Sequence, residues 1–236
     1  MMKISEIFWS IQGESTFAGI PTLFIRFQGC NLRCNYCDSA YTFDMEAEGV
    51  KDMTVDEVMA EVYEEAVTKT KNNMFICITG GEPLIHAADL QILLQKLIAE
   101  FGESVIITIE TNGSIKIPKE LRLPQVFWIV DIKCPSSGHE LNDMSVYGLL
   151  KTLGKQDEIK FVIGDENDFI YAHTIVRHFI PEYFLNQRSV IFSPVILDDN
   201  KEWPAKLAQM VLDAELPVRV QIQLHKVIWP NENRGY

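Results

Sequence analysis

Three cysteines that are close together in the sequence could form a metal centre. Cys30, Cys34 and Cys37 have the spacing Cys-x3-Cys-x2-Cys and follow a strand-like segment, TLFIRFQG, so they lie on one predicted loop. The remaining cysteines, Cys77 and Cys134, lie inside or just after other predicted strands. A structural zinc site closes with four ligands, whereas a four-iron cluster held by three thiolates keeps one iron with an exchangeable position. The spacing therefore indicates an iron–sulfur cluster with an open iron, and a zinc site completed by a distant Cys or His is the alternative.

Polar residues and glycines follow two other strand-like segments. Residues 78–83 read ITGGEP and residues 109–113 read IETNG. Ligands of α/β sheets bind beyond the carboxyl ends of the strands, so these residues are candidates for binding. Gly80 and Gly81 have no side chains and could let the backbone approach a ligand closely, and Glu110 and Thr111 could bind its polar groups. A simple turn and a solvated strand end are the alternatives.

The cysteine spacing, Tyr36 before the last cysteine, and the two strand-end segments together resemble the radical S-adenosylmethionine (SAM) superfamily. The resemblance implies that Cys30, Cys34 and Cys37 hold a 4Fe-4S cluster, whose open iron is chelated by the amino and carboxylate groups of SAM. It also implies an electron donor such as flavodoxin or ferredoxin. The residues that it assigns to cofactor binding are Tyr36, Cys37, Asp38, Gly81, Glu110, Asp131, Ile132, Lys133, Ser193, Pro194, Val195 and Ile196.

The two ends of the chain narrow the resemblance to one family. Residues 7–15 read IFWSIQGES, residues 24–44 read FIRFQGCNLRCNYCDSAYTFD, and residues 223–236 read QLHKVIWPNENRGY. These segments resemble the 7-carboxy-7-deazaguanine synthase family, and the resemblance extends from residue 4 to the C-terminus. It implies conversion of 6-carboxy-5,6,7,8-tetrahydropterin to 7-carboxy-7-deazaguanine by hydrogen abstraction and ring contraction with loss of ammonia, in queuosine-type deazapurine biosynthesis. It also implies Mg²⁺ as a cofactor and a homodimer.

The same resemblance assigns a substrate site, and the side-chain chemistry agrees with it. Gln12 can donate and accept hydrogen bonds, Glu14 can accept from an exocyclic amine, and Arg26 is a planar cation suited to a carboxylate. A snorkelling residue on an edge strand is the alternative for Arg26, and a merely packed side chain is the alternative for His225. The terminal carboxylate of Tyr236 would accept hydrogen bonds from the pterin, unless the tail packs only for stability. The substrate residues are Ile11, Gln12, Gly13, Glu14, Arg26, Thr79, His225 and Tyr236.

Two short segments complete the metal and cofactor predictions. Ser39 follows the third cysteine, where many family members have Thr, and the resemblance implies that its hydroxyl binds Mg²⁺; a helix N-cap is the alternative. Residues 131–133 read DIK where several relatives have Ser-Pro-Lys, and Lys133 could pair with the SAM carboxylate. The D-x-K pattern also occurs in activating enzymes of glycyl-radical proteins. That enzyme class and a non-catalytic zinc or iron–sulfur module are therefore the rival functions.

Alternating strands and helices are predicted to position these residues. A capping box of Thr54 and Glu57 begins the first helix, and Gly102 is the predicted C-cap of the second. Parallel strands joined by helices predict a barrel-like sheet in a single domain, residues 1–236. The resemblance implies an α/β fold, an incomplete (β/α)6 TIM-like barrel of the radical SAM type, in which residues 1–20 and 218–236 complete the substrate pocket. The predicted strands are 4–9, 22–28, 75–79, 105–110, 126–132, 159–163, 190–192 and 218–224, and two later helices are 166–179 and 204–214.

The composition excludes several other classes of protein. The 236 residues are 47% hydrophobic and 23% charged, which is typical of a globular protein and excludes disorder for most of the chain. The 21 basic and 33 acidic residues give a net charge of −12, so nucleic acid is not expected as a partner. No apolar run reaches the roughly 18 residues that span a bilayer, and the N-terminal residues do not resemble a signal peptide. A soluble, cytoplasmic protein that does not bind membranes is therefore expected.

Overall fold

An open sheet, parallel for most of its width, forms the frame of the molecule. The structure is a computed structural model that describes residues 1–69, 74–196, 200–230 and 234–235. Its strands are β1 (Met2–Ile11), β2 (Pro21–Phe27), β3 (Lys51–Met53), β4 (Phe75–Gly80), β5 (Ile106–Thr111), β6 (Val126–Asp131), β7 (Glu158–Ile163), β8 (Val190–Pro194) and β9 (Arg219–Val220). Within the described residues the strand order is β3-β1-β2-β4-β5-β6-β7-β8-β9. Neighbouring strands from β2 to β9 are parallel, and β1 runs antiparallel to β2 and β3.

Helices occupy most of the connections between the parallel strands. They are α1 (Val55–Lys69), α2 (Ala87–Phe101), α3 (Asp143–Leu150), α4 (Glu166–His178), α5 (Glu182–Asn186), α6 (Trp203–Asp213) and α7 (Leu224–Ile228). The Thr54 N–H donates to Glu57 Oε2 at 2.7 Å and the Glu57 N–H donates to Thr54 Oγ1 at 3.3 Å, which confirms the predicted capping box. Gly102 ends α2 with φ at +75°, as predicted. Among the described residues, no helix has the length and apolar sequence needed to cross a membrane.

The described sheet does not close, which confirms the predicted incomplete barrel. Strands β3 and β9 form its two edges. The connection between β5 and β6 contains a short 3-10 helix, Lys119–Leu121, where the other long connections have an α-helix. Pro118 precedes that turn and Pro124 follows it, and proline in a helix interior removes a hydrogen bond and clashes with the preceding turn. The connection between β5 and β6 therefore lacks the α-helix that is regular in a (β/α) barrel.

The parallel strands send alternate residues to the core and to one cavity. On β2, Ile25 is fully buried in the core, whereas the next residue, Arg26, lines the cavity. The strand register places Arg26 beside Thr79 of β4, and Asp131 of β6 beside Lys160 of β7. Because successive strand residues point to opposite faces, a charged residue inside an apolar strand can reach the cavity without entering the core. The alternation thus collects polar side chains on the inner face of the sheet.

The C-terminal segment differs from its predicted structure. Residues 218–224 were expected to form one strand, but β9 contains only Arg219 and Val220. The Leu224 N–H instead donates to Gly13 O at 3.0 Å, and α7 begins at Leu224. The chain therefore leaves the sheet to bind the segment that follows β1. Three further elements, β3, α3 and α5, are absent from the sequence-based prediction; they have 3, 8 and 5 residues.

Candidate active site

A polar cavity lies at the carboxyl ends of the parallel strands. The strand residues that line it with polar side chains are Arg26, Thr79, Glu110, Thr111, Asp131 and Lys160. Residues outside the strands also line it, among them residues 12–14, most of residues 30–39 in the loop after β2, and residues at the beginning of α7. Ligands of α/β barrels bind at this end of the strands. We call residues 29–39 the cysteine loop.

The three clustered cysteines all reach this cavity. Cys30, Cys34 and Cys37 line it, whereas Cys77 and Cys134 are 0% exposed and do not. Burial raises the pKa of the Cys34 and Cys37 thiols above the ordinary value. A bound metal stabilises the thiolate form and reverses this effect. The cysteines of the cysteine loop are therefore the thiols placed to bind a cofactor in the cavity.

The arrangement of these thiols suits a cluster with several metal ions. Within the part of the chain that the structure describes, no three His, Cys, Asp or Glu side chains are grouped closely enough to bind one ion. Each cysteine of a four-iron cluster binds a different iron, and three thiols of one loop that line the same cavity fit that cofactor. Asn112 Nδ2 lies 3.7 Å from Cys30 Sγ, and Ser39 Oγ lies 3.7 Å from Cys37 Sγ. Such polar neighbours tune a bound cluster.

The two glycines at the end of β4 lie against the backbone at the end of β2 and the start of the cysteine loop. A Cβ atom on Gly81 would lie 1.8 Å from Gly29 O, and a Cβ atom on Gly80 would lie 2.1 Å from Phe27 O. The Gly81 N–H donates to Phe27 O at 3.0 Å. Gly80 also has φ at +124°, which other residues rarely adopt. The glycines therefore permit contact between backbone and backbone, in addition to any approach to a ligand.

Glu82, the acidic residue of the GGEP segment, ties the ends of β4 and β5 together. It is 0% exposed, and it accepts hydrogen bonds from Leu84 N at 3.0 Å, Asn112 N at 2.7 Å and Thr111 Oγ1 at 2.9 Å. Burial raises its pKa, and the backbone N–H donors of Asn112 and Leu84 oppose that effect. The Thr111 hydroxyl, a predicted ligand group, is therefore used within the protein.

Arg26 has the partner that a cation inside an apolar strand requires. Its Nε–H donates to Glu6 Oε1 at 2.8 Å, and the Tyr41 hydroxyl donates to the same oxygen at 2.9 Å. The arginine side chain is 17% exposed and faces the cavity. Strand β2 lies between β1 and β4, so the alternative of a snorkelling residue on an edge strand is wrong. The Arg234 guanidinium lies 4.2 Å from the centroid of the Tyr41 ring, which brings the tail to the same wall.

Glu14 is held by donors from two distant parts of the chain. Lys160 Nζ lies 2.5 Å from Glu14 Oε2, and Gln223 Nε2 donates to Glu14 Oε1 at 2.5 Å. Burial would raise the pKa of Glu14, but Lys160 and Gln223 bring it below the ordinary value. The Glu14 N–H donates to Gln12 Oε1 at 3.2 Å, and Gln12 Nε2 is buried with no hydrogen-bond partner in the described residues. An ionised acceptor and an unsatisfied donor therefore line the same cavity.

The residue after Cys37 contacts α7. Lys226 Nζ lies 3.2 Å from Asp38 Oδ2, and Gln223 Nε2 lies 3.5 Å from the same oxygen. The surrounding protein would raise the pKa of Asp38, but Lys226 and His225 together lower it to about 2. His225 also contacts the segment after β1, since a Cβ atom on Gly13 would lie 2.2 Å from His225 Nδ1. The C-terminal helix thus joins two walls of the cavity.

Ser39 presents its hydroxyl to the cavity. A 3-10 helix, Ala40–Thr42, begins directly after it, but the Ser39 side chain makes no capping hydrogen bond. Ser39 is therefore the N-cap residue of this short helix, as the alternative predicts, but its hydroxyl is not used for capping. Its Oγ lies 3.4 Å from Asp38 Oδ1. The hydroxyl is placed where a hard metal ion could reach it.

Two polar pairs stand at the strand ends beside the cysteine loop. Lys133 Nζ lies 2.6 Å from Asp131 Oδ2, and Thr79 Oγ1 donates to Glu110 Oε2 at 2.7 Å. Burial would lower the pKa of Lys133, but Asp131 raises it above the ordinary value, so the lysine stays charged. Asp131 Oδ1 is buried and has no hydrogen-bond partner in the described residues. This corner of the cavity offers a cation and an unused acceptor.

Known proteins resemble this chain over nearly its whole length. Residues 24–124 match the model of the Radical SAM superfamily. The chain is 40% identical to the 7-carboxy-7-deazaguanine synthase of Koribacter versatilis, over 99% of this chain and 100% of that protein. The chain belongs to the 7-carboxy-7-deazaguanine synthase family. It is 38% identical to the synthase of Chlorobaculum tepidum, over 99% of this chain and 97% of that protein, and 36% identical to that of Methanospirillum hungatei, over 96% and 85%.

A solved structure has the same fold. The crystal structure of QueE from Escherichia coli has a TM-score of 0.69 and 22% identity, over 95% of this chain and 94% of that chain. As a member of the 7-carboxy-7-deazaguanine synthase family, the chain is a radical SAM enzyme of deazapurine biosynthesis, and its cofactors include a 4Fe-4S cluster and SAM. The family excludes both rival functions, the activating enzyme of a glycyl-radical protein and the non-catalytic metal module.

The cavity of this 7-carboxy-7-deazaguanine synthase family member contains most of the residues predicted for it. All four predicted metal ligands line it, as do seven substrate residues, Ile11, Gln12, Gly13, Glu14, Arg26, Thr79 and His225. The cofactor residues that line it are Tyr36, Cys37, Asp38, Gly81, Glu110, Asp131, Lys133 and Val195. Ile132 is 0% exposed in the core, and Ser193, Pro194 and Ile196 do not line the cavity. Tyr236 lies outside the described residues.

Sequence reasoning missed several residues of this site. Lys160 is a lone cation within the apolar strand β7, which is the same signal that indicated Arg26. Gln223 and Lys226 flank the predicted residue His225, and one turn of helix brings all three to the cavity. Glu82 lies between the two glycines and Pro83, and no pattern in the sequence indicates that it is buried.

Proposed function

We propose that this chain converts 6-carboxy-5,6,7,8-tetrahydropterin to 7-carboxy-7-deazaguanine by hydrogen abstraction and ring contraction with loss of ammonia. The names of the similar proteins give the product. One observation in the structure supports the substrate: the three thiols of the cysteine loop share a cavity with Gln12, Glu14 and Arg26. The pterin has a pyrimidinone edge and a carboxylate, so it requires both donors and acceptors and one fixed cation. The cavity offers that combination beside the cluster ligands.

The cofactors would occupy the corner near the cysteine loop. Cys30, Cys34 and Cys37 would bind the cluster, which with SAM supplies one-electron cleavage of SAM and hence the radical that abstracts hydrogen. Lys133 would pair with the SAM carboxylate, since an ammonium group has three donors and Asp131 uses one. The unused Asp131 Oδ1 is an acceptor for an amino group. The remaining predicted cofactor contacts are Tyr36, Asp38, Gly81, Glu110, Ile132, Ser193, Pro194, Val195 and Ile196.

The substrate would bind across the other side of the cavity. Glu14 would accept hydrogen bonds from the amino edge of the pterin, and Gln12 Nε2 would donate to its carbonyl oxygen. Arg26 uses its Nε–H for Glu6, which leaves the Nη groups for the substrate carboxylate. Thr79, His225 and the backbone groups of Ile11 and Gly13 would complete the site. These contacts orient the carbon that carries the carboxylate toward the cysteine loop.

Mg²⁺ would bind between Ser39 and the substrate. The Ser39 hydroxyl is a hard oxygen, makes no capping bond and lines the cavity. Mg²⁺ prefers such oxygen ligands and keeps several waters. The substrate carboxylate and water would complete its coordination.

Both ends of the chain would complete one domain, residues 1–236. Residues 11–14 and α7 line the cavity, and the Leu224 N–H joins them by its bond to Gly13 O. Arg234 lies over Tyr41, a cavity residue, which supports a role for the tail. The terminal carboxylate of Tyr236, which is outside the described residues, would accept hydrogen bonds from the amino edge of the pterin.

We also propose a cytoplasmic homodimer that receives electrons from a flavodoxin or ferredoxin. Five free cysteines and an iron–sulfur cluster suit a reducing compartment. Four apolar side chains at the sheet edge β9 and on α7 are exposed, which supports an interface: Val220, Ile222, Val227 and Ile228. The acidic net charge argues against nucleic acid as a partner.

The reaction is tested with anaerobically reconstituted protein, SAM, a reductant, Mg²⁺ and the carboxytetrahydropterin. We expect 7-carboxy-7-deazaguanine in the product mixture by mass spectrometry, and no product from Cys34→Ala. SAM cleavage without this product in the parent protein would contradict the proposed substrate. Cys134→Ala is the matched control, because that thiol is fully buried in the hydrophobic core and does not line the cavity.

A further inference from the structure

Lys160 is a buried cation that the family resemblance does not assign. It lies on β7, its side chain is 12% exposed, and it lines the cavity. Its Nζ lies 2.5 Å from Glu14 Oε2, across a separation of 146 residues in the chain. Taking an ammonium group out of water is costly unless it is paired and hydrogen-bonded. The position of this lysine, within a strand and facing the cavity, therefore indicates a role in the site.

Lys160 favours the ionised form of Glu14. The carboxylate is 8% exposed at its side chain, and burial favours its neutral form. Lys160 is the cation in contact with it, and Gln223 donates to its other oxygen without adding charge. The other charged or titratable groups around this pair are His225 and Lys226 of α7, Asp38 of the cysteine loop, Glu110 of β5, Asp131 of β6 and Lys133, which follows β6.

We propose that Lys160 is a positioning residue, which holds Glu14 ionised and correctly oriented to accept hydrogen bonds from the amino edge of the pterin. This inference rests on the proposed function, because it takes the pterin as the ligand of Glu14. Each carboxylate oxygen of Glu14 accepts one bond inside the protein and keeps a further lone pair for the ligand. If Glu14 took up a proton, it would present a donor to the N–H donors of the pterin, and the pairing would be lost.

The test compares the pH dependence of ligand binding in the parent and in Lys160→Met. The probe is pterin-6-carboxylate, the oxidised and unreactive form of the substrate skeleton, titrated by its fluorescence into cluster-loaded protein with SAM between pH 5.5 and 7.5. In the parent, Glu14 is ionised throughout this range, so we expect a constant affinity. In Lys160→Met the pKa of Glu14 rises, so we expect affinity about 10-fold weaker at pH 5.5 and partial recovery by pH 7.5.

Three further variants isolate the lysine. Lys160→Arg keeps the charge and should restore most of the affinity and its constancy with pH. Glu14→Gln combined with Lys160→Met has no carboxyl group to titrate, so its affinity should be weak but independent of pH, which controls for titration of the probe. Lys206→Met removes a surface lysine paired with Glu166 on the outer helices and should behave as the parent. If Lys160→Met does not load iron, Lys160→Gln replaces it, since the amide still reaches Glu14 but carries no charge.

The possible outcomes separate this inference from the proposed function. A parent protein that forms the deazaguanine, together with a Lys160→Met variant that binds the probe like the parent at every pH, would overturn the role of Lys160 alone. Equal weakening of Lys160→Met at all pH values, without rescue by Lys160→Arg, would also overturn it, because the lysine would then contact the pterin directly. A parent that binds no pterin carboxylate would overturn the proposed function and this inference together.

Discussion

Lys226 Nζ lies 3.2 Å from Asp38 Oδ2, and this ion pair joins α7 to the residue that follows the last cluster cysteine. Gln223, one turn earlier in the chain, contacts both Asp38 and Glu14. The C-terminal helix therefore spans the cysteine loop and the segment after β1. A change in this helix should alter substrate binding more than it alters the binding of the cluster.

Lys226→Met should loosen α7 from the cysteine loop. The pair is partly exposed, 25% for the lysine and 44% for the aspartate, so its loss is worth at most about 1 kcal/mol, or roughly 5-fold. We expect KM for the pterin to rise by up to that factor, and iron content and SAM cleavage without substrate to stay unchanged. Steady-state kinetics with Lys206→Met as a control measures this. Equal loss of SAM cleavage would show that the helix acts on the cofactor.

The Asp38–Lys226 pair should not respond to pH in the working range of the enzyme. Asp38 has its pKa lowered from 3.8 to about 2, so its ionised form contributes fully above about pH 4 and is lost only as the pH falls through 2. The KM effect of Lys226→Met should therefore be equal at pH 6 and pH 8. If the ratio of KM between Lys226→Met and the parent changes from pH 6 to pH 8, another group must titrate in this range, and the neighbouring candidate is His225.

Only the three cysteines that line the cavity should be needed for the cluster. Cys30→Ala, Cys34→Ala or Cys37→Ala should each abolish the brown chromophore, because we propose that these three thiolates hold the cluster. Cys77→Ala and Cys134→Ala should keep it and lower the unfolding free energy by about 1 kcal/mol for the small cavities that they leave. Iron and sulfide analysis with chemical denaturation measures both. Full iron content in Cys34→Ala would contradict the ligand assignment.

Ser39→Ala should reduce the stimulation of turnover by Mg²⁺ while SAM cleavage by the reduced enzyme continues. The physical reason is the loss of the hard oxygen that lines the cavity, and Ser39→Thr should be tolerated because it keeps that oxygen. Turnover is measured against Mg²⁺ concentration for the three proteins. An unchanged response in Ser39→Ala would place the metal ion elsewhere.

Short-range patterns in the sequence predict much of this site, and contacts over long separations account for what they miss. The cysteine loop, Ser39 and the GGEP segment are each local, so spacing and residue type suffice. Lys160 and Gln223 reach Glu14 across 146 and 209 residues, and no local pattern reports such a pairing. The apolar strand around Lys160 carries the same signal as the one around Arg26, but only Arg26 adjoins a recognisable motif.

In the fold, too, local patterns predict most of the elements, and contacts over long separations account for the difference. Strands β4 to β8 are mostly apolar, which predicts buried parallel strands, and they lie side by side in the order of the sequence. Residues 218–224 read VRVQIQL, an alternation typical of a strand, yet only two of them pair in the sheet. The hydrogen bond from Leu224 to Gly13 decides the conformation there, and this bond connects opposite ends of the chain.

Gly81→Ala should damage the cysteine loop. The added Cβ atom would meet Gly29 O at 1.8 Å, and that neighbour is backbone, so the loop must shift. We expect the unfolding free energy to fall by about 2 to 3 kcal/mol and iron content to drop with it. Gly148→Ala is the matched control, since nothing lies within 4 Å of its Cβ position on α3 and alanine favours a helix. A Gly81→Ala variant with full stability and iron content would show that the loop adapts.

Arg234 should help to close the cavity through its contact with Tyr41. The guanidinium lies 4.2 Å from the ring centroid, and the Tyr41 hydroxyl donates to Glu6, the partner of Arg26. A cation over an aromatic ring at a partly exposed site is worth about 0.5 to 1 kcal/mol, so Arg234→Ala should raise KM for the pterin about 2- to 5-fold. SAM affinity and iron content should not change. A double-mutant cycle with Tyr41→Leu tests the contact itself, because the effect of Arg234→Ala should largely vanish in the Tyr41→Leu background. Additive effects would show that Arg234 acts on the substrate by another route.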